Sequence, residues 1–290
     1  MNLLQPEDVS FLESLITYKE SFSIRSFCFD KQVAFIEDPA KYKVAVCSRR
    51  AGKTVSCAAH MMQVALTNPN RVCLYITLSR INAKRIVWPD LLRINRDYSL
   101  GGIPNDTELS LRFSNGSVIY CSGAKDKSEI DNFRGLPITL CYIDECQSFK
   151  AYIRELIEEV ISKAMYDHDG TLCLTGTPGP VPVGFFYDCW TSDGWSKHAW
   201  TMFDNPWIEK KSGKTARQLV QEECNRRGVT IEDPTIQREC FGRWTVDADC
   251  LVFKYNPMVN HFDQIPVVND WHYIFGVDLG FDDSDAIAVI

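Results

Sequence analysis

"VAVCSRRAGKTVSC", residues 44–57, decides the fold. A short apolar run ends in two arginines, and Gly52-Lys53-Thr54 then opens a segment that can continue as a helix. A strand, a tight turn and a helix in that order can bind phosphate. Backbone N–H groups at the helix start wrap the anion, a lysine reaches its outer oxygens, and a hydroxyl meets Mg²⁺. The usual pattern is G-x-x-x-x-G-K-[ST]. Here Cys47 occupies the first glycine position, while Gly52, Lys53 and Thr54 fit the rest. Ser48, Arg49, Arg50 and Ala51 form the body of the loop, with the two arginines placed to fold over a γ-phosphate or, for one of them, to face solvent. Alone, Gly-Lys-Thr can equally be a plain turn. The strand before it and the helix after it favour the phosphate loop.

Working outward, "ITLCYIDE" (138–145) is a nearly continuous apolar run, the signature of a strand buried on both faces, and it ends in Asp144 and Glu145. Beside a phosphate loop, an Asp at such a strand end can hold the hydration shell of Mg²⁺. The next Glu can orient and deprotonate an attacking water. The plain alternative is an acidic pair at the start of a helix. A phosphotransferase has no need of the second acid, so Glu145 points to hydrolysis. "LCLTGTP" (172–178) ends another buried strand with Thr175 and Thr177, whose hydroxyls can sense the γ-phosphate or the attacking water.

Around these motifs, "RVCLYITL" (71–78) is a strand, and Ser79 caps a helix that Pro89 interrupts. "LSLRFSNGSVIYCSG" (109–123) alternates about Asn115-Gly116, a hairpin signal. "YIRELIEEVISKAM" (152–165) reads as an amphipathic helix, and residues 1–42 as a mostly helical lead-in. Strands alternating with helices predict an α/β fold, a mostly parallel sheet with an inserted hairpin. Beyond Val181 the pattern shortens, with helices expected near 213–227 and 234–243 and a last strand within "WHYIFGVDLGF" (271–281).

The chain has 290 residues, 45% hydrophobic and 24% charged, an ordinary globular balance. No run approaches the about 20 apolar residues of a membrane span, and the N-terminus lacks the layout of a signal peptide. Twelve cysteines occur without a single CxxC, which predicts buried free thiols in a reducing compartment. The net charge of −7 means that any nucleic-acid contact depends on local basic patches. Arg80, Lys84, Arg85, Arg93 and Arg96 form one such patch, with Asp90 the only acid among them over 79–96, and it reads either as a phosphate track or as a solvated helix face.

Taken in order, these features resemble the large terminase subunit of tailed bacteriophages, the ATPase that drives DNA into a procapsid. The resemblance rests on Gln32, "CSRRAGKT", the Asn-Gly hairpin, "NFRGLPITLCYIDE", "TGTP", "FDNPWI" (203–208), "ECFGRWTVDADCLVF" (239–253) and "GVDLGFDDSDAIAVI" (276–290). It covers nearly the whole chain. It implies an ASCE-type P-loop ATPase core over 1–180, a lid or linker subdomain over 181–250, and a linker with the first strand of an incomplete ribonuclease H-like nuclease domain over 251–290. ATP and Mg²⁺ are the implied cofactors, with Mg²⁺ or Mn²⁺ for a completed nuclease.

Residue by residue, the resemblance makes Gln32 an adenine-recognition residue or a plain surface residue. Arg134 becomes a trans-acting arginine finger or a loop arginine on DNA or solvent. Thr175 and Thr177 fall in the coupling motif, and Asp278 is the first nuclease metal ligand, with Asp282, Asp283 and Asp285 in the adjoining turn. No nuclease activity is expected from these residues alone. Double-stranded DNA, a portal protein and a small terminase subunit are the implied partners, with a homo-oligomeric ring on the procapsid, a monomer in solution, and the host cytoplasm as location. Two rivals stand beside this reading. A helicase-like or repair ATPase would need a second motor domain where the nuclease-type strand stands. A non-hydrolysing assembly module would have no use for Lys53 and Glu145.

Overall fold

A computed structural model describes residues 22–149 and 152–247, and the backbone of two further strands at 275–278 and 286–289. The chain divides into two units, residues 1–250 and 251–290.

The first unit is built on an eight-stranded sheet. Its strands are β1 (Tyr42–Cys47), β2 (Val72–Thr77), β3 (Ile103–Asn105), β4 (Ser110–Arg112), β5 (Val118–Gly123), β6 (Ile138–Ile143), β7 (Thr171–Gly176) and β8 (Ser196–Trp200). They lie in the order β3-β4-β5-β2-β6-β7-β1-β8. Every pairing from β5 to β8 is parallel, while β3-β4 and β4-β5 are antiparallel. The antiparallel end contains the Asn115-Gly116 turn, where Gly116 sits at φ +83° and Phe113 N–H bonds the carbonyl of Ser117. Such a φ is cheap only for glycine.

Helices cover both faces, which is why β2 is buried along its whole length and β1, β6 and β7 nearly so. Helix α1 (Asp30–Glu37), α2 (Lys53–Thr67), α3 (Arg80–Ile86) and α4 (Trp88–Asp97) contribute to one core with Phe35, Met61, Met62, Leu91 and Ile94. The Ser79 side chain caps α3, and the chain turns at Val87 before α4 begins, with Pro89 in its first turn. The other core gathers Leu156, Ile157, Val160 and Ile161 against Val44, Ile76, Ile143 and Leu174.

Two elements depart from sequence expectation. The helix expected over 152–165 is π-helical at Glu155–Ile161. Its buried residues Leu156, Ile157, Val160 and Ile161 still share one face, as the amphipathic pattern implies. Strand β8, "SKHAW", joins the sheet beside β1 and was not apparent in the sequence, because an edge strand exposed at alternate residues looks like a loop. The sheet therefore extends past residue 180. From Thr201 the chain leaves it and forms a small cluster around Met202, Val220, Cys224 and Ile236, with helices α5 (Ala216–Arg227) and α6 (Pro234–Phe241).

Lys43 is an unusual strand residue, 1% exposed in the middle of a buried sheet. Its ammonium donates to the carbonyls of Phe35, Ile36 and Asp38, the open C-terminal end of α1. A cation satisfies orphan carbonyls and the negative end of the helix dipole together. Lys43 thereby fixes α1, which carries Gln32, onto the strand that leads into the loop.

All eleven cysteines among the described residues are free, and ten are buried. Among the described residues no helix is long and apolar enough to cross a membrane. In the second unit, β9 (Phe275–Asp278) pairs antiparallel with β10 (Ala286–Val289), placing Asp278 opposite Ala286. The sequence had suggested a single strand there; Asp282, Asp283 and Asp285 lie outside the described residues.

Candidate nucleotide-binding site

Three chain segments leave the same edge of the parallel sheet. Val46 is in register with Gly176, and Ile143 with Leu174. The turn after Cys47, the acids after Ile143 and the Thr175–Thr177 segment therefore converge, with β7 between the other two strands. Ligand sites in open α/β sheets lie at this carboxyl edge.

The loop's shape is imposed from outside. Carbonyls of Arg50, Ala51 and Gly52 accept from the side chains of Asn205 (2.8 Å), Trp200 (3.0 Å) and Gln32 (2.9 Å). Arg49 N–H donates to the carbonyl of Glu239 at 2.7 Å, and the Ser48 hydroxyl accepts from Met202 N–H at 2.7 Å. Arg50 and Gly52 take φ +58° and +79°, and a side chain at Gly52 would press on the Gln32 amide. With its carbonyls turned outward, the loop leaves the N–H groups of Gly52, Lys53 and Thr54 without partners among the described residues. Those donors, at the start of the fifteen-residue α2, suit an anion. Cys47 is fully buried and burial pushes its thiol up to about 12, so it is a neutral filler at the first loop position.

Lys53 is 8% exposed. Its ammonium donates to Thr177 Oγ1 at 3.2 Å and lies 3.6 Å from Glu145 Oε1. Burial alone would lower its pKa; the Glu145 and Asp144 carboxylates outweigh that and hold the ammonium above its ordinary range.

Asp144 is buried, and its oxygens already accept three hydrogen bonds: Tyr75 OH at 2.5 Å, Thr175 OH at 2.6 Å and Glu145 N–H at 2.9 Å. A carboxylate offers about four lone-pair directions, so Asp144 fits a water-bridged contact to a cation better than direct ligation. Burial, then the neighbouring Glu145, pushes its pKa up, against the pull of Lys53, Thr175 and Tyr75. Glu145 follows in the left-handed region at φ +53°, a conformation that costs a non-glycine residue about 1 kcal/mol or more. The Asp144–Glu145 N–H bond supports that turn, which carries Glu145 towards Lys53. Its second oxygen accepts from Gln147 Nε2 at 2.6 Å.

Of the other residues singled out in the sequence, Thr54 is half-buried in the first turn of α2. Gln32 is buried, its amide oxygen accepting from Phe29 N–H and its amide nitrogen bonded to the loop. An adenine contact through the amide nitrogen of Gln32 would have to replace a bond to the loop carbonyls. Arg49 is exposed and ion-paired with Glu239, and Arg50 is exposed. Arg134 is exposed, held by Asp131 at 2.8 Å and not by any residue of the loop. In the basic patch Arg93 pairs with Asp90 and Arg96 with Asp97, while Lys84 and Arg85 have no ion pair among the described residues. Tyr75, Gln147, Trp200, Asn205, Glu239 and Gly242 were missed as site residues. "FDNPWI" and "ECFGRW" stood out in the sequence, yet nothing local showed that they fold back onto the loop.

A parallel sheet, a phosphate loop with a buried lysine, and paired acids one strand removed together define a P-loop NTPase of the ASCE type. The chain belongs to the terminase large subunit family: residues 44–245 match the family described as terminase large subunit, T4likevirus-type, N-terminal. Among solved structures it is similar to the large terminase ATPase domain of Thermus phage P74-26, at 17% identity and TM-score 0.58, covering 84% of this chain and 100% of that one. It is also similar to the large terminase of a thermophilic bacteriophage, at 18% identity and TM-score 0.60, covering 90% of this chain and 64% of that one. The same thermophilic phage protein in complex with ATP-γ-S matches at 16% identity and TM-score 0.54, covering 90% and 63%. The chain thus spans just under two thirds of the length of that terminase chain. No curated protein matches it.

Proposed function

We infer that this chain carries the ATP-hydrolysing motor of a DNA-packaging terminase. One observation carries the reading: Lys53 on the phosphate loop and Glu145 after β6 meet at 3.6 Å across the strand between them. The thermophilic phage relative was solved with ATP-γ-S, which supports a nucleotide here.

The free N–H groups of the loop and Lys53 bind the β and γ phosphates. Mg²⁺, when bound, would screen phosphate charge, held by the Thr54 hydroxyl and through water by Asp144. Glu145 receives the proton of the attacking water. Arg49 and Arg50 lie within the loop and can supply positive charge in cis; Arg134, exposed and away from it, suits a role on a neighbouring copy's nucleotide. The base lodges beside the loop, either at Gln32 or in the groove of about 640 Å³ lined by Phe203, Asn205 and Phe241.

Loss of the γ-phosphate reaches Thr175 near the end of β7 and Thr177 just beyond it. It also reaches the part after Thr201, whose Asn205 and Glu239 grip the loop and which acts as the lid. The output is translocation of double-stranded DNA, by a ring of these subunits with a portal protein and a small terminase subunit. Asp278 would be one carboxylate of a nuclease site using Mg²⁺ or Mn²⁺. Steady-state ATP hydrolysis with and without double-stranded DNA tests the motor: DNA stimulation supports it, and DNA-independent hydrolysis argues for a different output.

A further inference from the structure

Lys53, Glu145, Gln147 and Thr177 close a ring. The Lys53 ammonium contacts Glu145 Oε1 at 3.6 Å, and Gln147 Nε2 donates to Glu145 Oε2 at 2.6 Å. Thr177 N–H donates to Gln147 Oε1 at 3.3 Å, and Lys53 donates to Thr177 Oγ1 at 3.2 Å. Three segments distant in sequence meet in it. The orientation of the Gln147 amide is fixed by chemistry, since a carboxylate needs a donor and a peptide N–H needs an acceptor. Its seat is cut for it too: a side chain at Gly176 would collide with Gln147 Oε1 and with the Phe186 ring. The glycine of Thr-Gly-Thr therefore makes room for this glutamine.

We propose that Gln147 is the positioning residue that aims the general base and ties it to the end of β7. This rests on the ATPase reading above. Lys53 lies against one oxygen of Glu145 and Gln147 holds the other. A polyphosphate offers Lys53 a stronger anionic partner, which frees Oε1 to accept a proton from water while Gln147 still holds Oε2. The same amide carries any shift of the Thr177 backbone to Glu145, so the position of the base and the conformation after β7 are linked by one side chain. Gln147 touches neither the loop backbone nor any phosphate-binding N–H, so its loss weakens the chemical step and leaves nucleotide affinity intact.

The test uses Gln147→Leu, which removes both arms, and Gln147→Glu, which keeps an acceptor for Thr177 but sets a carboxylate against Glu145. Single-turnover ATP hydrolysis across pH, ATP-γ-S affinity, and amide hydrogen exchange at Thr177 without nucleotide are measured for both. The rate should fall at least about tenfold in each with affinity within twofold. In Gln147→Glu the acid limb of the pH profile should move up by about one unit, as for paired carboxylates. Thr177 should exchange faster in Gln147→Leu and stay protected in Gln147→Glu. Rates within twofold of the parent with an unmoved pH profile, affinity falling with rate, or unchanged exchange in Gln147→Leu would each overturn the proposal. If the parent chain binds ATP-γ-S but does not hydrolyse ATP, the ATPase reading fails separately, and the exchange data still decide whether the ring exists.

Discussion

Gln32 donates its side-chain amide to the carbonyl of Gly52 at 2.9 Å, and that glycine sits where only glycine is comfortable, at φ +79°. A residue before the first strand thus sets the conformation of the loop after it. Replacing Gln32 by Leu removes one of two donors to the Gly52 carbonyl, which keeps the Ser56 N–H, at a cost of about 0.5–1.5 kcal/mol. The expected result is weaker ATP-γ-S binding, by roughly two- to tenfold, seen by calorimetry. Unchanged affinity would show that the loop holds its shape unaided.

Gly242 approaches the loop from the other side. At φ +65°, a Cβ there would lie 3.1 Å from Ser48 N and 3.2 Å from the Cys47 carbonyl carbon. Gly242→Ala should therefore destabilise the protein by about 1–2 kcal/mol and lower nucleotide affinity, whereas Gly213→Ala, also left-handed but with open space around it, should affect stability alone. Thermal melts and a binding isotherm on the two variants separate strain from loop displacement.

Lys53 holds a buried ammonium 3.6 Å from Glu145 Oε1, within the field of the buried Asp144 carboxylate. Lys53→Met removes the phosphate ligand and takes a compensating charge away from buried Asp144. Binding should be lost, and the melting temperature should drop more at pH 7.5 than at pH 5, where Asp144, its pKa raised by burial, can take up a proton. An equal drop at both values would mean that the lysine's charge does not stabilise the site.

Much of this was legible in the sequence, and what was not shares a cause. Asp144, Glu145 and the Thr-Gly-Thr turn announce themselves because each ends a buried apolar strand, and Lys53 because it opens a helix after one; the rule that parallel strands share an edge brings them together. Gln147, Asn205, Glu239 and Gly242 were silent as site residues, because their roles depend on contacts between segments far apart in the chain. Strand β8 was hidden by its position at the edge, where alternate residues face water. Lys43 shows the converse: a charge in a buried strand looks like an error until α1 is seen ending above it.

His60 on α2 bonds Tyr142 on β6 at 2.7 Å inside the core. Burial, aided by the charge on Lys43, pushes its pKa down to about 3, so it folds neutral. With the folded value below the unfolded about 6.5, its contribution is complete above pH 6.5 and is lost as pH falls towards 3. Stability should decline with acid over that window, and His60→Gln should flatten the decline in denaturant titrations at pH 4, 5, 6 and 7. The same slope in the variant would assign acid sensitivity to the carboxylates instead.

The claim on which the account turns is that Glu145 activates water at a site where Lys53 binds phosphate. The measurement that bears on it most directly is ATP hydrolysis by the chain and by Glu145→Gln, at high protein concentration and with double-stranded DNA present. Hydrolysis by the parent, lost by at least about a hundredfold in the variant while ATP-γ-S affinity is retained, is the predicted result. Equal hydrolysis by both proteins, or ATP binding with no hydrolysis by the parent, would contradict it.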